Sequence, residues 1–254
     1  MKLLMDIGNT RIKWAFDDGS DLVAAGEIVH QSNPEACAFN FVKALQLEPE
    51  SAFAVNVAGA AMEVAIANTL KAHFDIELTT VRTAEHFGAV ANGYSSTGQL
   101  GADRWAAIVG AWQLYHQAVC IVDVGTAVTI DAVAPNGQHQ GGIIIPGLAL
   151  VHASLNNDTS DIGGFVRQSE GPLADDEWFG RDTRSAVERG AVFMLGATID
   201  RAIAEFSKAG DVPVILLTGG DAEIIGPLVN HPVEYHPLLV LQGLRHLANG
   251  TVDA

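Results

Sequence analysis

One short motif occurs twice in this chain, and the repeat limits what the chain can fold into. Leu4-Met5-Asp6-Ile7-Gly8 is an apolar run ending in a carboxylate, one apolar residue and a glycine; beyond a tight turn, Arg11–Phe16 is a second apolar-rich run. The arrangement returns as Ile121-Val122-Asp123-Val124-Gly125 followed by a further apolar run. Asp6 aligns with Asp123 and Gly8 with Gly125, 117 residues apart in a chain of 254. A motif recurring near half-length points to a duplicated domain.

The spacing has a chemical reason. Strand alternation puts Asp6 and Gly8 on one face at the end of a buried strand. Gly8 lets the backbone turn so that successive N–H groups can face an anion. Asn9 and Thr10 add short polar side chains, and Lys13 adds a point charge suited to phosphate. A carboxylate beside such a cradle repels phosphate, so its expected work is to hold a cation that attracts it. A single copy is equally compatible with a plain hairpin and a solvated Asp. Two copies at half-length are much harder to explain that way.

Composition narrows the class. The chain is 48% hydrophobic and supports a sizeable core. Its formal net charge of −16 argues against nucleic acid and against anionic membrane surfaces as partners. Cys37 and Cys120 lie in apolar surroundings and read as buried thiols. With neither a signal peptide nor an 18-residue apolar run, a cytoplasmic location is expected.

The first half reads as strands Lys2–Gly8, Arg11–Phe16 and Leu22–Val29, then a helix opened by Ser32-Asn33-Pro34-Glu35. A strand over Ala52–Ala58, a helix over Glu63–His73 and a strand over Ile76–Val81 follow. The polar stretch Ala91–Gly101 reads as a long loop leading into a helix at Ala102-Asp103-Arg104-Trp105. Trp105, Ile108, Val109 and Trp112 recur at helical spacing and are expected in the core. Asp103, in the first turn, is open to reading as a helix-capping carboxylate.

The second half repeats the pattern, with strands Val119–Val124, Val128–Ala134 and Gly141–Ile145 and a helix from Pro146-Gly147 to Leu155. The acidic stretch Asn156–Asp176 reads as loop; Asp158, Asp161, Asp175, Asp176 and Glu177 match no calcium-binding pattern. A long helix over Arg184–Lys208 carries the small residues Gly190, Ala191, Gly196 and Ala197. A strand over Val214–Leu217 runs into Thr218-Gly219-Gly220, and a last helix over Leu238–Ala248 is expected to close this second domain.

Several nucleotide-binding schemes are excluded. There is no Gly-Lys pair and so no Walker A loop, and neither His-Arg-Asp nor Asp-Phe-Gly of the protein kinases. No dinucleotide fingerprint follows a strand, and the nine histidines show no metal-ligand spacing.

Asp6-x-Gly8-x-Thr10 together with Asp123-x-Gly125-Thr126 resembles the paired phosphate loops of the acetate kinase, sugar kinase, Hsp70 and actin superfamily. Within it, Asp6-Ile7-Gly8-Asn9-Thr10 and Leu100-Gly101-Ala102-Asp103-Arg104 resemble the type III pantothenate kinases, the family that includes the Bvg accessory factor. Gly141-Gly142, Pro146-Gly147, Thr183 and Thr218-Gly219-Gly220 follow in the order of that family. The resemblance implies an α/β protein of two duplicated ribonuclease H-like (actin-like ATPase) domains, 1–116 and 117–254, with a cleft between them.

It also implies ATP-dependent phosphorylation of pantothenate. Asp6, Ile7, Gly8, Asn9, Thr10, Arg11, Ile12 and Lys13 would bind the ATP phosphates, Asp6 with Mg²⁺, and Thr126 would reach them from the other side. Gly219 and Gly220 would line the adenosine pocket. Asp123 matches a monovalent-cation position for K⁺ or NH₄⁺. Asp103 matches the general base, and Tyr94, Gly101, Ala102, Arg104 and Thr183 match substrate positions, Thr183 coming from the partner of a homodimer. Thr97 stands where the family has a proline three residues after the tyrosine. A non-enzymatic regulator, or a kinase of another small hydroxy acid or sugar, remains an alternative at this level.

Overall fold

The computed structural model describes residues 1–30, 33–158 and 178–250. Met1–Leu114 and the segment from Leu238 onward form one compact unit, and Tyr115–Pro237 forms another. The first contains β1 (Lys2–Ile7), β2 (Arg11–Asp17), β3 (Leu22–Val29), α1 (Pro34–Ala44), β4 (Ser51–Asn56), α2 (Ala60–Phe74) and β5 (Leu78–Thr80). A small hairpin of β6 (His86–Phe87) and β7 (Val90–Ala91), a 3₁₀ turn at Thr97–Gln99 and α3 (Ala102–Tyr115) follow. The second contains β8 (Val119–Val124), β9 (Ala127–Val133), β10 (His139–Pro146), α4 (Leu148–Asp158), α5 (Thr183–Phe206), β11 (Val214–Thr218), α6 (Ala222–Ile225) and β12 (Glu234–Tyr235). After it comes α7 (Leu239–Asn249).

Each unit is built on a five-stranded sheet, in the order β3-β2-β1-β4-β5 and β10-β9-β8-β11-β12. Position by position the second order repeats the first, with β8 in the place of β1. Three antiparallel strands come first in each unit; the fourth then pairs parallel with the central strand and the fifth parallel with the fourth. The duplication read from the repeated motif is therefore a duplication of topology.

Local chemistry explains where elements begin. Asn33 Oδ1 accepts the Ala36 N–H at 3.0 Å and Pro34 occupies the first turn, so α1 starts there; Ser32 lies outside the described residues. At α5, Asp182 and Ser185 cap each other's backbone N–H groups. On one face of the first sheet Leu3, Met5 and Ile7 pack with Ile12, Trp14 and Phe16 against α1 and α2. Leu4 and Ala15, on the other face, are also fully buried. A fully buried Leu, Ile, Met or Phe side chain contributes roughly 1.5–3 kcal/mol. Trp105, Ile108, Val109 and Trp112 are buried as expected.

The terminal helix departs from expectation. α7 packs on β1, β2 and β4 of the first unit and does not close the second. Arg245 Nε pairs with Asp17 Oδ1 at 3.0 Å and its NH2 donates to the Gly19 carbonyl at 2.9 Å, while Lys2 donates to Asn249. Two smaller differences concern loops. The Ala91–Gly101 link holds a one-turn 3₁₀ helix, and α4 continues to Asp158; most of the acidic stretch Asn156–Asp176 lies outside the described residues. On α5, Ala191 and Gly196 face the core of their own unit, whereas Gly190 and Ala197 are exposed.

Candidate active site

The first turn is built by the β1–β2 register. Asp6 stands directly opposite Lys13, and the Gly8 N–H closes the turn by donating to the Arg11 carbonyl at 3.0 Å. The His30 N–H donates to the Thr10 carbonyl at 2.7 Å, fastening the turn to the end of β3. Asn9 and Thr10 are exposed. Ile7 and Ile12 are fully buried, so only their backbone groups can serve a ligand. Arg11 is ion-paired with Glu27 across the neighbouring strand, which leaves Lys13 as the cation facing Asp6.

At the second turn the geometry differs by one residue. Gly125 N–H donates to the Ala127 carbonyl at 3.1 Å, and Thr129, not a cation, stands opposite Asp123. Motif alignment passes over Thr129, because it does not fix which residue stands opposite Asp123. Two neighbours crowd this turn. The Gly147 N–H donates to the Thr126 carbonyl at 3.0 Å just before α4. Gly219 has φ +95°, and a Cβ there would lie 2.5 Å from both Asp123 Oδ1 and the Val124 carbonyl oxygen. Only glycine suits that backbone and that gap. Asp221 N–H donates to the same Val124 carbonyl at 2.9 Å, and Gly220 sits in the open beside it.

The third group lies at the start of α3. Arg104 is buried, and its NH1 donates to the Tyr94 hydroxyl at 2.8 Å with the guanidinium 5.4 Å from the ring centre. Asp103 is partly buried, and its Oδ1 accepts the Arg104 N–H at 2.8 Å. A Cβ on Gly101 would lie 2.5 Å from that same oxygen, so the missing side chain makes room for the carboxylate. Ala102 begins the helix.

Asp6–Lys13, Tyr94 and Gly101–Arg104 thus belong to the first unit. Asp123, Thr126, Gly219, Gly220 and Thr183 belong to the second, Thr183 as the exposed first residue of α5. Among the described residues no three or more His, Cys, Asp or Glu side chains gather as a metal cluster. Cys120 is no candidate nucleophile: burial, aided by Asp131, pushes its thiol up to about 12. Among the described residues no helix is long and apolar enough to cross a membrane.

Two like sheets, each with an Asp–x–Gly turn after its central strand, define the acetate kinase, sugar kinase, Hsp70 and actin class. Solved structures agree with that fold. A Campylobacter jejuni protein of the Baf family is 21% identical, with each chain covered over 97% and a TM-score of 0.60. The activator of 2-hydroxyisocaproyl-CoA dehydratase from Clostridium difficile, solved with bound ADPNP, is 12% identical over 98% of this chain and 95% of that one, with a TM-score of 0.50. Sequence comparison is more specific. The family profile of type III pantothenate kinase matches residues 2–205. The type III pantothenate kinase of Nitrosospira multiformis is 34% identical, covering 99% of this chain and 92% of that protein. That of Azoarcus sp. is 35% identical, covering 98% and 90%. The chain belongs to the type III pantothenate kinase family.

Proposed function

We propose that this chain transfers the γ-phosphoryl group of ATP to the hydroxyl of pantothenate, giving 4′-phosphopantothenate as the first step to coenzyme A, with Asp103 as general base. The observation that carries the reading is the grouping of Asp103, Arg104 and Tyr94 at the start of α3, in a chain that matches its family over most of its length. The pantothenate oxygen forms a bond to the γ-phosphorus as the bond to the ADP oxygen breaks, and the hydroxyl proton passes to Asp103. A carboxylate is a weak base, and it suffices because proton transfer is late in a loose transition state. Arg104 presents a forked guanidinium to the pantothenate carboxylate, oriented by the Tyr94 hydroxyl.

Lys13, the exposed turn Asn9–Thr10 and Thr126 serve the phosphates of ATP, and Gly219 and Gly220 line its adenosine pocket. Mg²⁺, held by Asp6 with the phosphate oxygens, would offset the charge that develops on them. Asp123, with Thr129 opposite and the Val124 carbonyl nearby, offers an all-oxygen donor set for K⁺ or NH₄⁺. The working form is a homodimer in which Thr183 of one chain completes the substrate pocket of the other. In support, Trp178, Phe179, Phe193 and Met194 are exposed close to Thr183 in sequence or on the same helix. The enzyme works in the cytoplasm, with no nucleic-acid or membrane partner.

The test is ATP consumption screened over pantothenate, common sugars, glycerol and acetate. Pantothenate alone is expected to drive turnover, and a faster reaction with another acceptor overturns the substrate. Asp103→Asn is expected to lower turnover at least about a hundredfold while both substrates still bind. Near-wild-type turnover in that variant would reduce Asp103 to a helix-start residue.

A further inference from the structure

Between β5 and α3 the chain makes an excursion that carries Tyr94 and returns at Gly101. Its neck is closed by one side chain. Thr83 Oγ1 donates to the Leu100 carbonyl at 2.8 Å, joining the residue that leaves the sheet to the residue that precedes Gly101. The Thr83 side of this neck is itself anchored. Val81 N–H donates to the Ala54 carbonyl at 2.7 Å, extending the β4–β5 pairing. Thr80 Oγ1 and Arg82 NH2 donate to Glu63 Oε1 at 2.8 and 3.0 Å. Glu63 also accepts from Asn56 at 2.9 Å. The Leu100 side is anchored by its side chain, which is buried.

Beyond Leu100 very little slack remains before Asp103. The Trp105 N–H donates to the Gly101 carbonyl at 2.9 Å, so the helix begins at once. The Asp103 carboxylate rests where a Gly101 side chain would be. Any rotation of the Leu100–Gly101 peptide therefore moves the surface against which the carboxylate lies. We propose that Thr83 is a positioning residue for the phosphoryl-transfer reaction: its hydroxyl fixes the Leu100 carbonyl and through it the direction of the Asp103 carboxylate. The inference rests on the assignment of Asp103 above. Thr83 touches no reacting atom; it acts through the peptide that starts α3. A misplacement of about 1 Å at a reacting group costs on the order of a hundredfold, so loss of one such hydrogen bond is enough to be read in turnover.

The experiment compares Thr83→Val, which keeps the shape and removes the donor, with Thr83→Ser, which keeps the donor. Asp103→Asn is measured alongside, and melting temperatures are recorded for all. Thr83→Val is expected to lower kcat about tenfold at temperatures well below its melting point, with the KM for ATP unchanged. Thr83→Ser is expected to restore kcat to within about twofold, since the hydroxyl and not the methyl makes the bond. If Thr83→Val does not yield folded protein, Thr83→Ala is read by the same criteria. Should Asp103→Asn be inactive while Thr83→Val keeps wild-type kcat, the positioning role is wrong and Asp103 as base stands. A reduced melting temperature with unchanged kcat likewise overturns the positioning role, because a merely structural bond moves only the first. Should Asp103→Asn itself remain active, the base assignment falls and the positioning inference falls with it.

Discussion

Gly243 on α7 meets Ala106 on α3 so closely that a side chain on Gly243 would overlap the Ala106 carbonyl oxygen. The contact is mutual: a Cβ on Gly110 would lie 2.8 Å from the Leu239 carbonyl and 2.9 Å from the Gly243 nitrogen. Two helices thus approach backbone to backbone within the first unit, and one of them carries Asp103 in its first turn. Replacing Gly243 by Ala forces the helices apart and is expected to cost about 3 kcal/mol, at the upper end of overpacking penalties. Thermal unfolding checks this; an unchanged melting temperature would mean that α7 does not sit against α3.

The cation site proposed at Asp123 predicts a salt dependence. Exchanging Na⁺ for K⁺ or NH₄⁺ is expected to raise activity, and Asp123→Ala to abolish both the dependence and most of the activity. Gly219→Ala should act like a weakened Asp123 substitution, because its methyl group would press on Asp123 Oδ1 at 2.5 Å. Rates that are equal in all three salts would remove the monovalent site and leave Asp123 as a second carboxylate linked to Mg²⁺.

Thr97 invites a stabilising change. It is the first residue of the 3₁₀ turn, a place where proline is well tolerated. Ser96 before it is extended, with φ −125° and ψ 104°, as a residue preceding proline must be. Thr97→Pro is expected to add about 0.4–1 kcal/mol by restricting the unfolded chain. A denaturant melt reads the change directly; a loss of stability would show that Thr97 has a backbone angle or a bond that proline forbids.

The proposed sharing of the substrate pocket between two chains is testable by complementation. Mixing an inactive Asp103→Asn chain with an inactive Thr183→Trp chain should regenerate one working site per heterodimer, assembled from wild-type Asp103 and the other chain's wild-type Thr183. Subunit exchange without recovered activity would exclude a pocket shared between chains, even for a stable dimer.

Much of this protein is written locally. The Asp–x–Gly turns, the Asn33–Pro34 helix start and the apolar spacing of Trp105, Ile108, Val109 and Trp112 each follow from a few adjacent residues, because backbone preference and side-chain period act over that range. Tertiary structure decided the rest. The apolar face of α7 is plain in its sequence, but an amphipathic helix fits any apolar surface of the right width, and only packing chose β1 and β4 over the sheet that precedes it. Motif alignment pairs Asp6 with Asp123, yet cross-strand register puts Lys13 opposite one and Thr129 opposite the other. Strand register depends on the whole ladder and on turn length, so one residue fewer in a turn changes the chemistry that faces a carboxylate. The Thr83–Leu100 bond joins residues 17 apart across an irregular loop. No period or propensity records such a bond; it exists because the sheet fixes one end and the buried Leu100 side chain fixes the other.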